Sequence, residues 1–569
     1  MSNNNKADIK NLWDRAYPSN VNWNFEAVNK PVNRIFEDVA AKHPKSPCVD
    51  FLGKNYSYAD MKKFMLRVAA GLQAKGVKKG DRIGLCLPNT PYYIACYYAI
   101  LKIGGTVVNF NPLYTKEEIK AQIEDSGIEM MITIDVKAIF EKVHFSLDKT
   151  SLKHIVFCPL ASILPPVKRI LFKLFKASEI MHIQASDKIT SFNKLCSHGD
   201  KVTAVDINPS EDVALFQYTG GTTGVPKAAI LTHSNVSSNA EQVRLWLAST
   251  GKTSHETFLG VLPFFHVFAM TAVMNLSIIT ASKLILLPRF DIMQVLKAIR
   301  KNKPTVFPAV PTIFNALSHH PKIKNYDLSS IDFCISGGAT LPSSVKSAFE
   351  SLAKCTVVEG YGLSETSPVT NCNPPTTGGK IGSIGLPLPG TKVEIRDIKD
   401  PSITLEQGER GELVIKGPQV MLSYHNRPDE TAKVFTEDGW LRTGDVGYID
   451  DDGYVFLTDR LKEIIISNGY NVYPKVIEEA FYRHGDVEEV IVIGIPDEHK
   501  GEVPKAFVKL KEGATVSNAQ LLEFVVKLLN PLEKPKELEF RKELPKTLIG
   551  KLSKKELVQE EAEKRSTHS

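Results

Sequence analysis

The chain has 569 residues, 43% hydrophobic and 24% charged. That ordinary balance excludes global disorder, collagen-like repeats and a polytopic membrane protein, and at ~150 residues per domain it predicts three to four folding units, some merged into one lobe. The net charge of +6 is too dilute to argue for nucleic acid, though it suits anionic ligands or an anionic membrane surface.

The N-terminal MSNNNKADIKNLWDR is polar, without the apolar core of a signal peptide. From about Val32 to Lys303, short β-branched runs alternate with longer helical periods. DRIGLCLPN (81–89) reads as a buried strand into a turn. TPYYIACYYAILKIGG (90–105) reads as a helix ended by Gly104 and Gly105, and GGTVVNFNP as the next strand. This rhythm, repeated in KLILLP, PTVFPAVP and FCISGGA, predicts parallel sheet and an α/β fold.

ASILPPVKRILFKLFKASEI (161–180) interrupts the rhythm. On a helix, Ile170, Leu171, Leu174 and Phe175 share a face flanked by Lys168, Arg169, Lys173 and Lys176. That is the pattern of an interfacial basic amphipathic helix and predicts peripheral membrane contact. A surface helix docked on the lobe is the plainer alternative.

The apolar run VALFQ leads into YTGGTTGVPK (218–227). A strand followed by a loop rich in Gly and Thr and ending in Lys is how backbone cradles phosphate. Gly220, Gly221 and Gly224 let amides turn toward an anion, Thr219, Thr222 and Thr223 add donors, and Lys227 adds charge. It is not a Walker A motif, since Gly224 is followed by Val-Pro-Lys.

Residues 257–282 contain no Asp, Glu, Lys or Arg and are long enough to cross a bilayer. Pro263, His266, Asn275 and several hydroxyls favour instead a buried strand followed by a core helix. After about residue 380, short runs with Asp-Gly turns predict antiparallel structure closing the large lobe. Beyond Lys462 the chain reads β-α-β-β-α-β, so a domain boundary is expected between 1–460 and 461–569. The tail after Lys554 reads as a solvated or frayed helix. The eight cysteines form no CxxC pair, which disfavours a zinc ribbon or disulfide framework and suits a reducing, cytoplasmic compartment.

The loop 218–227 resembles the phosphate loop of the adenylate-forming superfamily, which spans acyl-CoA synthetases, luciferase-like enzymes and peptide-synthetase adenylation domains. LPFFHVFA (262–269), SGGATLP (336–342), EGYGLSETSP (359–368), GWLRTGD (439–445), DRLKEIIISNGYNVYP (459–474) and PKTLIGKL (545–552) follow in the family's order. The stretch 438–463 is most similar to bacterial long-chain fatty acid–CoA ligases. The resemblance implies a large N-terminal lobe of mixed, mainly parallel sheets with a β-rich closing subdomain, and a small mobile α+β C-terminal domain.

It also implies a reaction. A carboxylate attacks the α-phosphate of ATP to give an acyl-adenylate and pyrophosphate, and the thiol of coenzyme A then displaces AMP. Fatty acid, ATP and coenzyme A are the implied partners, with Mg²⁺ as cofactor and a homodimer as a family habit. By the same resemblance Lys551 bridges carboxylate and α-phosphate, while Glu365 holds Mg²⁺ with Thr219 as hydroxyl partner. Ser364 contacts the α-phosphate. Tyr361, followed by Gly362, packs on adenine, with Gly337, Gly338 and Ala339 as the other wall. Asp445 accepts from the ribose, Arg460 adds a ribose or phosphate contact, and His266 lines the acyl or adenylate site. Lys462 is the hinge and Gly469 lines the coenzyme A channel.

The acyl pocket is expected near 265–270, 310–317 and 337–339. Ala269, Met270, Ala272 and Met274 would leave a tunnel open, and no gate tryptophan occurs between Val267 and Ser282. An aryl- or medium-chain acid–CoA ligase and a free-standing fatty acyl-AMP ligase are the alternative readings.

Overall fold

A computed structural model describes residues 12–13, 15–219, 226–468, 470–497, 499–546 and 552–566. Three sheets organise them. The largest has thirteen strands. Its parallel centre runs Thr356–Gly362, Phe333–Ser336, Val306–Ala309, Thr257–Gly260, Lys283–Leu286, Pro47–Phe51. The middle four are almost wholly buried, as apolar runs in a sheet covered on both faces must be.

Beyond Thr356–Gly362 the pairing turns antiparallel. It continues through Val369–Cys372, Ser383–Pro387, Val455–Arg460, Leu441–Ile449, Gly411–Lys416 and Lys392–Arg396. The closing β structure expected after residue 380 is therefore hydrogen-bonded onto the edge of the parallel sheet.

The second sheet has eight strands around a parallel centre that includes Arg82–Cys86, Thr106–Asn109 and Met130–Ile134. Val213–Thr219 joins it parallel and turns back antiparallel as Lys227–Thr232. The helix Pro91–Lys102 is buried on every side from Pro91 to Leu101, as an all-round apolar helix should be. The Tyr93 hydroxyl lies 2.7 Å from Asn109 Oδ1 and 2.9 Å from the Phe264 carbonyl. One buried tyrosine thus ties a strand of the second sheet to the turn that follows Thr257–Gly260 of the first.

Residues 257–282 form the strand Thr257–Gly260 and a buried helical run from Val267 to Ile279, widened to π geometry over Met270–Asn275. Among the described residues no helix is long and apolar enough to cross a membrane.

The third sheet follows Arg460. Tyr470–Val472, Ile465–Ser467, Gly501–Leu510 and Val487–Asp497 pair antiparallel, and Glu537–Phe540 adds a parallel edge. The helices Pro474–Tyr482 and Asn518–Val526 share an apolar cluster with one face of this sheet. The tail Lys555–Ser566 is a helix and mostly exposed, as one expected form had it, but it is docked and not frayed. Leu557 enters a cluster with Ile491, Ile493 and Phe507, and the buried Glu561 pairs with Lys505 at 3.0 Å. Glu560 also pairs with Arg541 at 2.8 Å, so a few contacts seat a helix otherwise rich in Lys and Glu.

Candidate active site

The strand Thr257–Gly260 ends in the turn that carries His266. Asn89 holds this turn from both sides. Its Nδ2 donates to the Leu262 carbonyl at 2.7 Å, and the Phe264 N–H donates to its Oδ1 at 2.9 Å. His266, at the start of the next helix, faces an apolar cavity of about 170 Å³.

The remaining wall of the cavity comes from three directions. Gly337 and Gly338 close one side, and Gly360 through Ser364 another. A Cβ on Gly337 would fall 2.9 Å from the Phe268 ring, so only glycine lets that ring pack there. A Cβ on Gly362 would meet the Pro368 carbonyl at 1.9 Å. The close approach of the two strands at this bend therefore also demands glycine.

The third wall was not legible in the sequence. The helix His233–Ala248 supplies Val243, Trp246 and Leu247. Asn239 exchanges hydrogen bonds with Val369 backbone at 2.7 and 2.9 Å. Gln242 donates to the Pro389 carbonyl at 2.7 Å, and the Trp246 indole N–H to the Asn373 carbonyl at 3.1 Å. Positions 239, 242, 243 and 246 lie on one helical face, which clamps strands and lines the cavity together. That i, i+3, i+4, i+7 spacing was the available signal.

Several expected acyl-pocket residues lie elsewhere. Ala269 and Ala272 line the cavity, but Met270 and Met274 do not; they are buried in the core. From 310–317 only Val310 reaches the lining, because the helix Pro311–Ser318 turns Phe314 onto Phe307 and Phe349. Ala339 lies exposed outside the cavity, the chain having turned outward at Gly338, where φ is +81°. The cavity does hold a tryptophan, Trp246, from a helix that precedes the expected segment.

Tyr361, Asp445 and Arg460 form one unit. The strands Leu441–Ile449 and Val455–Arg460 place Asp445 opposite Arg460. The Tyr361 hydroxyl donates to Asp445 Oδ2, and Arg460 Nε lies 3.0 Å from Oδ1. Burial, then the Asp445 carboxylate, pushes the Tyr361 phenol well above its usual range. Asp445 raises the Arg460 guanidinium in turn. A carboxylate has about four acceptor positions; with two engaged, Asp445 keeps capacity for hydroxyl donors.

The strands Val213–Thr219 and Lys227–Thr232 set Thr219 opposite Lys227. Gly220, Gly221, Thr222, Thr223 and Gly224 lie outside the described residues. Lys227 pairs with Glu430 and sits over the Tyr424 ring. The turn Ser364–Thr366 packs against both strands. Its Glu365 accepts from the Tyr424 hydroxyl at 2.6 Å, and burial, then Glu365, drives that phenol upward. One carboxylate and one hydroxyl, Glu365 and Thr219, are oxygen donors of the sparse kind that would suit Mg²⁺ with phosphates completing its shell. The donor chemistry fits.

Lys462 sits in the turn Leu461–Glu463 between the large and third sheets. Its ammonium is lowered by burial, then by Arg460, with Lys227 adding to the effect. Glu463 and Asp445 act in the opposite direction, and Arg460 and Lys227 are themselves paired with Asp445 and Glu430. Lys551 and Gly469 lie outside the described residues. The segment before Lys551 is anchored by Lys546, paired with Glu489 at 2.6 Å. The segment after it is anchored by Lys554, which meets Glu463 at 2.9 Å. Burial alone would lower Lys554, but Glu478, Asp459 and Glu463 more than offset it and hold it above its ordinary range.

Comparison with known proteins gives a consistent picture. Residues 36–425 match the model of the AMP-binding enzyme family, and residues 476–551 match that of the AMP-binding enzyme C-terminal domain. A protein of Bacillus subtilis (strain 168) named long-chain-fatty-acid–CoA ligase is 43% identical over 97% of this chain and 98% of its own length. A Salmonella typhimurium protein of the same name is 36% identical over 96% and 98%. Among solved structures, ATP-bound MatB from Rhodopseudomonas palustris superposes with a TM-score of 0.82 at 26% identity, covering 94% of this chain and 99% of that one.

Proposed function

Because the chain belongs to the AMP-binding enzyme family, we propose that it is an AMP-forming long-chain fatty acid–CoA ligase. The observation that carries this reading is a single cavity with two characters. Its body is apolar, walled by Val243, Trp246, Leu247 and Ala272, and its mouth is polar, at His266, Gly338, Tyr361 and Ser364. An acyl chain suits the body and an adenylate the mouth.

The residues then divide the work. Tyr361 and Gly338 flank the base, and Asp445, oriented by Arg460, accepts from the ribose. The loop from Thr219 to Lys227, with Ser364, holds the phosphates. The Lys227–Glu430 pair must open for Lys227 to reach an anion. Glu365 and Thr219 would hold Mg²⁺, which when bound would neutralise charge on the phosphates. Two anions must meet when carboxylate attacks phosphorus, so fixed positive charge and positioning supply most of the catalysis. Lys551 delivers the charge at the reacting oxygens.

The same reading divides the chain at 460/461, with Lys462 as the hinge. The 461–569 domain presents Lys551 for the first half-reaction and the Gly469 region for the second, a gating motion of the kind that separates steps elsewhere. Nucleotide and coenzyme A come from the aqueous cytoplasm, and the acid from lipid.

One feature favours a second reading. Trp246 lines a cavity of only about 170 Å³, which suits a medium-chain or aryl acid. A panel of acids from short to very long, with an aryl acid included, tests both. AMP release with ATP and Mg²⁺ is read with and without coenzyme A. Coenzyme A-dependent release that peaks at long chains supports the ligase. A peak at medium or aryl acids transfers it to the second reading, and release that ignores coenzyme A points to an acyl-AMP ligase.

A further inference from the structure

The crossover between the strands His154–Cys158 and Ile189–Ser191 carries the helix Pro166–Phe175. A crossover helix ordinarily lays its apolar face on the sheet. Here only Phe172 packs toward the core. Val167, Ile170, Leu171, Leu174 and Phe175 are between 48% and 76% exposed. At about 100° per residue they form one arc roughly 140° wide. Elsewhere exposed apolar side chains occur singly or in pairs such as Phe524 and Leu528, which needs no explanation; five bulky ones on ten residues form a patch, which does.

The base of this helix meets a concentration of positive charge. Lys168 Nζ donates to the Leu52 carbonyl at 2.8 Å. Lys54 Nζ and Arg169 both reach the Ser162 carbonyl, at 3.0 and 3.1 Å. Lys54 is lowered by burial, then by Arg169. Lys168 is lowered by burial, then by Lys301, with Asp50 acting in the opposite direction. Lys283 lies 3.5 Å from Asp50. Cations from four separate segments therefore gather beside an apolar ridge: Arg169 acts on Lys54, Lys301 acts on Lys168, and Asp50 lies near Lys168 and Lys283.

We infer that this face is a docking surface for an anionic lipid bilayer. The ridge inserts among acyl chains, and Lys54, Lys168, Arg169 and Lys301 meet the headgroup phosphates. Such a helix lies in the interfacial plane, and its binding adds buried apolar area to attraction for anionic lipid.

The test is co-sedimentation of the full chain with vesicles of phosphatidylcholine alone or mixed with phosphatidylglycerol. The parent should pellet with the mixed vesicles and lose binding as salt rises. The double variant Leu174→Glu, Phe175→Glu should bind at least about tenfold more weakly. Lys168→Gln with Lys301→Gln should weaken binding by about 30-fold, taking ~1 kcal/mol per cation and 1.4 kcal/mol per tenfold. These positions lie outside the cavity, so acyl-CoA formation from an acid presented in solution should match the parent in both variants. The proposal is overturned if the parent ignores anionic vesicles, or if it binds neutral ones equally. It is also overturned if Leu174→Glu, Phe175→Glu pellets like the parent. A parent dimer that the same variant converts to monomer, without vesicle binding, would assign the ridge to a second copy of the chain.

Discussion

Glu359 shows how one side chain can set a pH response. It is buried at the end of the sheet centre, with its Oε1 accepting from the Leu341 N–H at 3.3 Å. Burial pushes its carboxyl up to about 7, against the opposing pull of Lys475, the Leu341 N–H and Lys346. A carboxyl raised in the fold favours the folded state in its protonated form. The stability it contributes is full below the ordinary carboxylate pKa of 4.5 and is lost as pH rises through about 7. At ~1.4 kcal/mol per pH unit the loss is about 3 kcal/mol. Glu359→Gln keeps an acceptor for Leu341 and cannot ionise. Denaturant unfolding at pH 5 and pH 8 should show a smaller drop in the variant than in the parent; equal drops would refute the assignment. Asp459, also raised by burial to about 6, titrates in both proteins and cancels.

At the scale of the element, the helix His233–Ala248 makes the strongest prediction. Trp246 lines the cavity, and Tyr17 packs edge-on against it with ring centroids 5.2 Å apart, itself 5.7 Å from Trp23. Trp246→Ala should open the space between the cavity and Tyr17. The kcat/KM profile against chain length should move toward longer acids, at a stability cost of about 3–5 kcal/mol. Trp246→Phe should keep the parent profile. An unchanged profile in Trp246→Ala would remove Trp246 from the role of end wall. The element escaped sequence reading for a physical reason. Its buried face includes Ser237, Ser238, Asn239 and Gln242, whose hydrogen bonds satisfy them inside the protein. Hydrophobic periodicity is blind to a face that is buried through polar contacts.

Across the whole molecule, legibility followed the range of the interactions. Strands such as Phe333–Ser336 and Val306–Ala309 were readable from local apolar runs, and the motif residues Tyr361, Asp445 and Arg460 do converge. Partner choice was not readable. Nothing local in Val369–Cys372 says that it extends the parallel sheet, and nothing local in Asn89 says that it clamps Phe264. Likewise Lys475, in the third sheet's first helix, donates through its backbone to Asp459 at 2.9 Å and through Nζ to the Leu457 carbonyl at 2.8 Å. These contacts across residue 460 depend on geometry that only the folded chain supplies.

The central claim is that one cavity holds an acyl-adenylate between two half-reactions. A single-turnover experiment tests it most directly. Enzyme in excess over labelled fatty acid is mixed with ATP and Mg²⁺, quenched over time, and then chased with coenzyme A. The label should move into an acyl-adenylate that persists on the protein without coenzyme A, and then pass into acyl-CoA as AMP is released. Label that never enters an adenylate, or an adenylate that coenzyme A leaves untouched, would contradict the account.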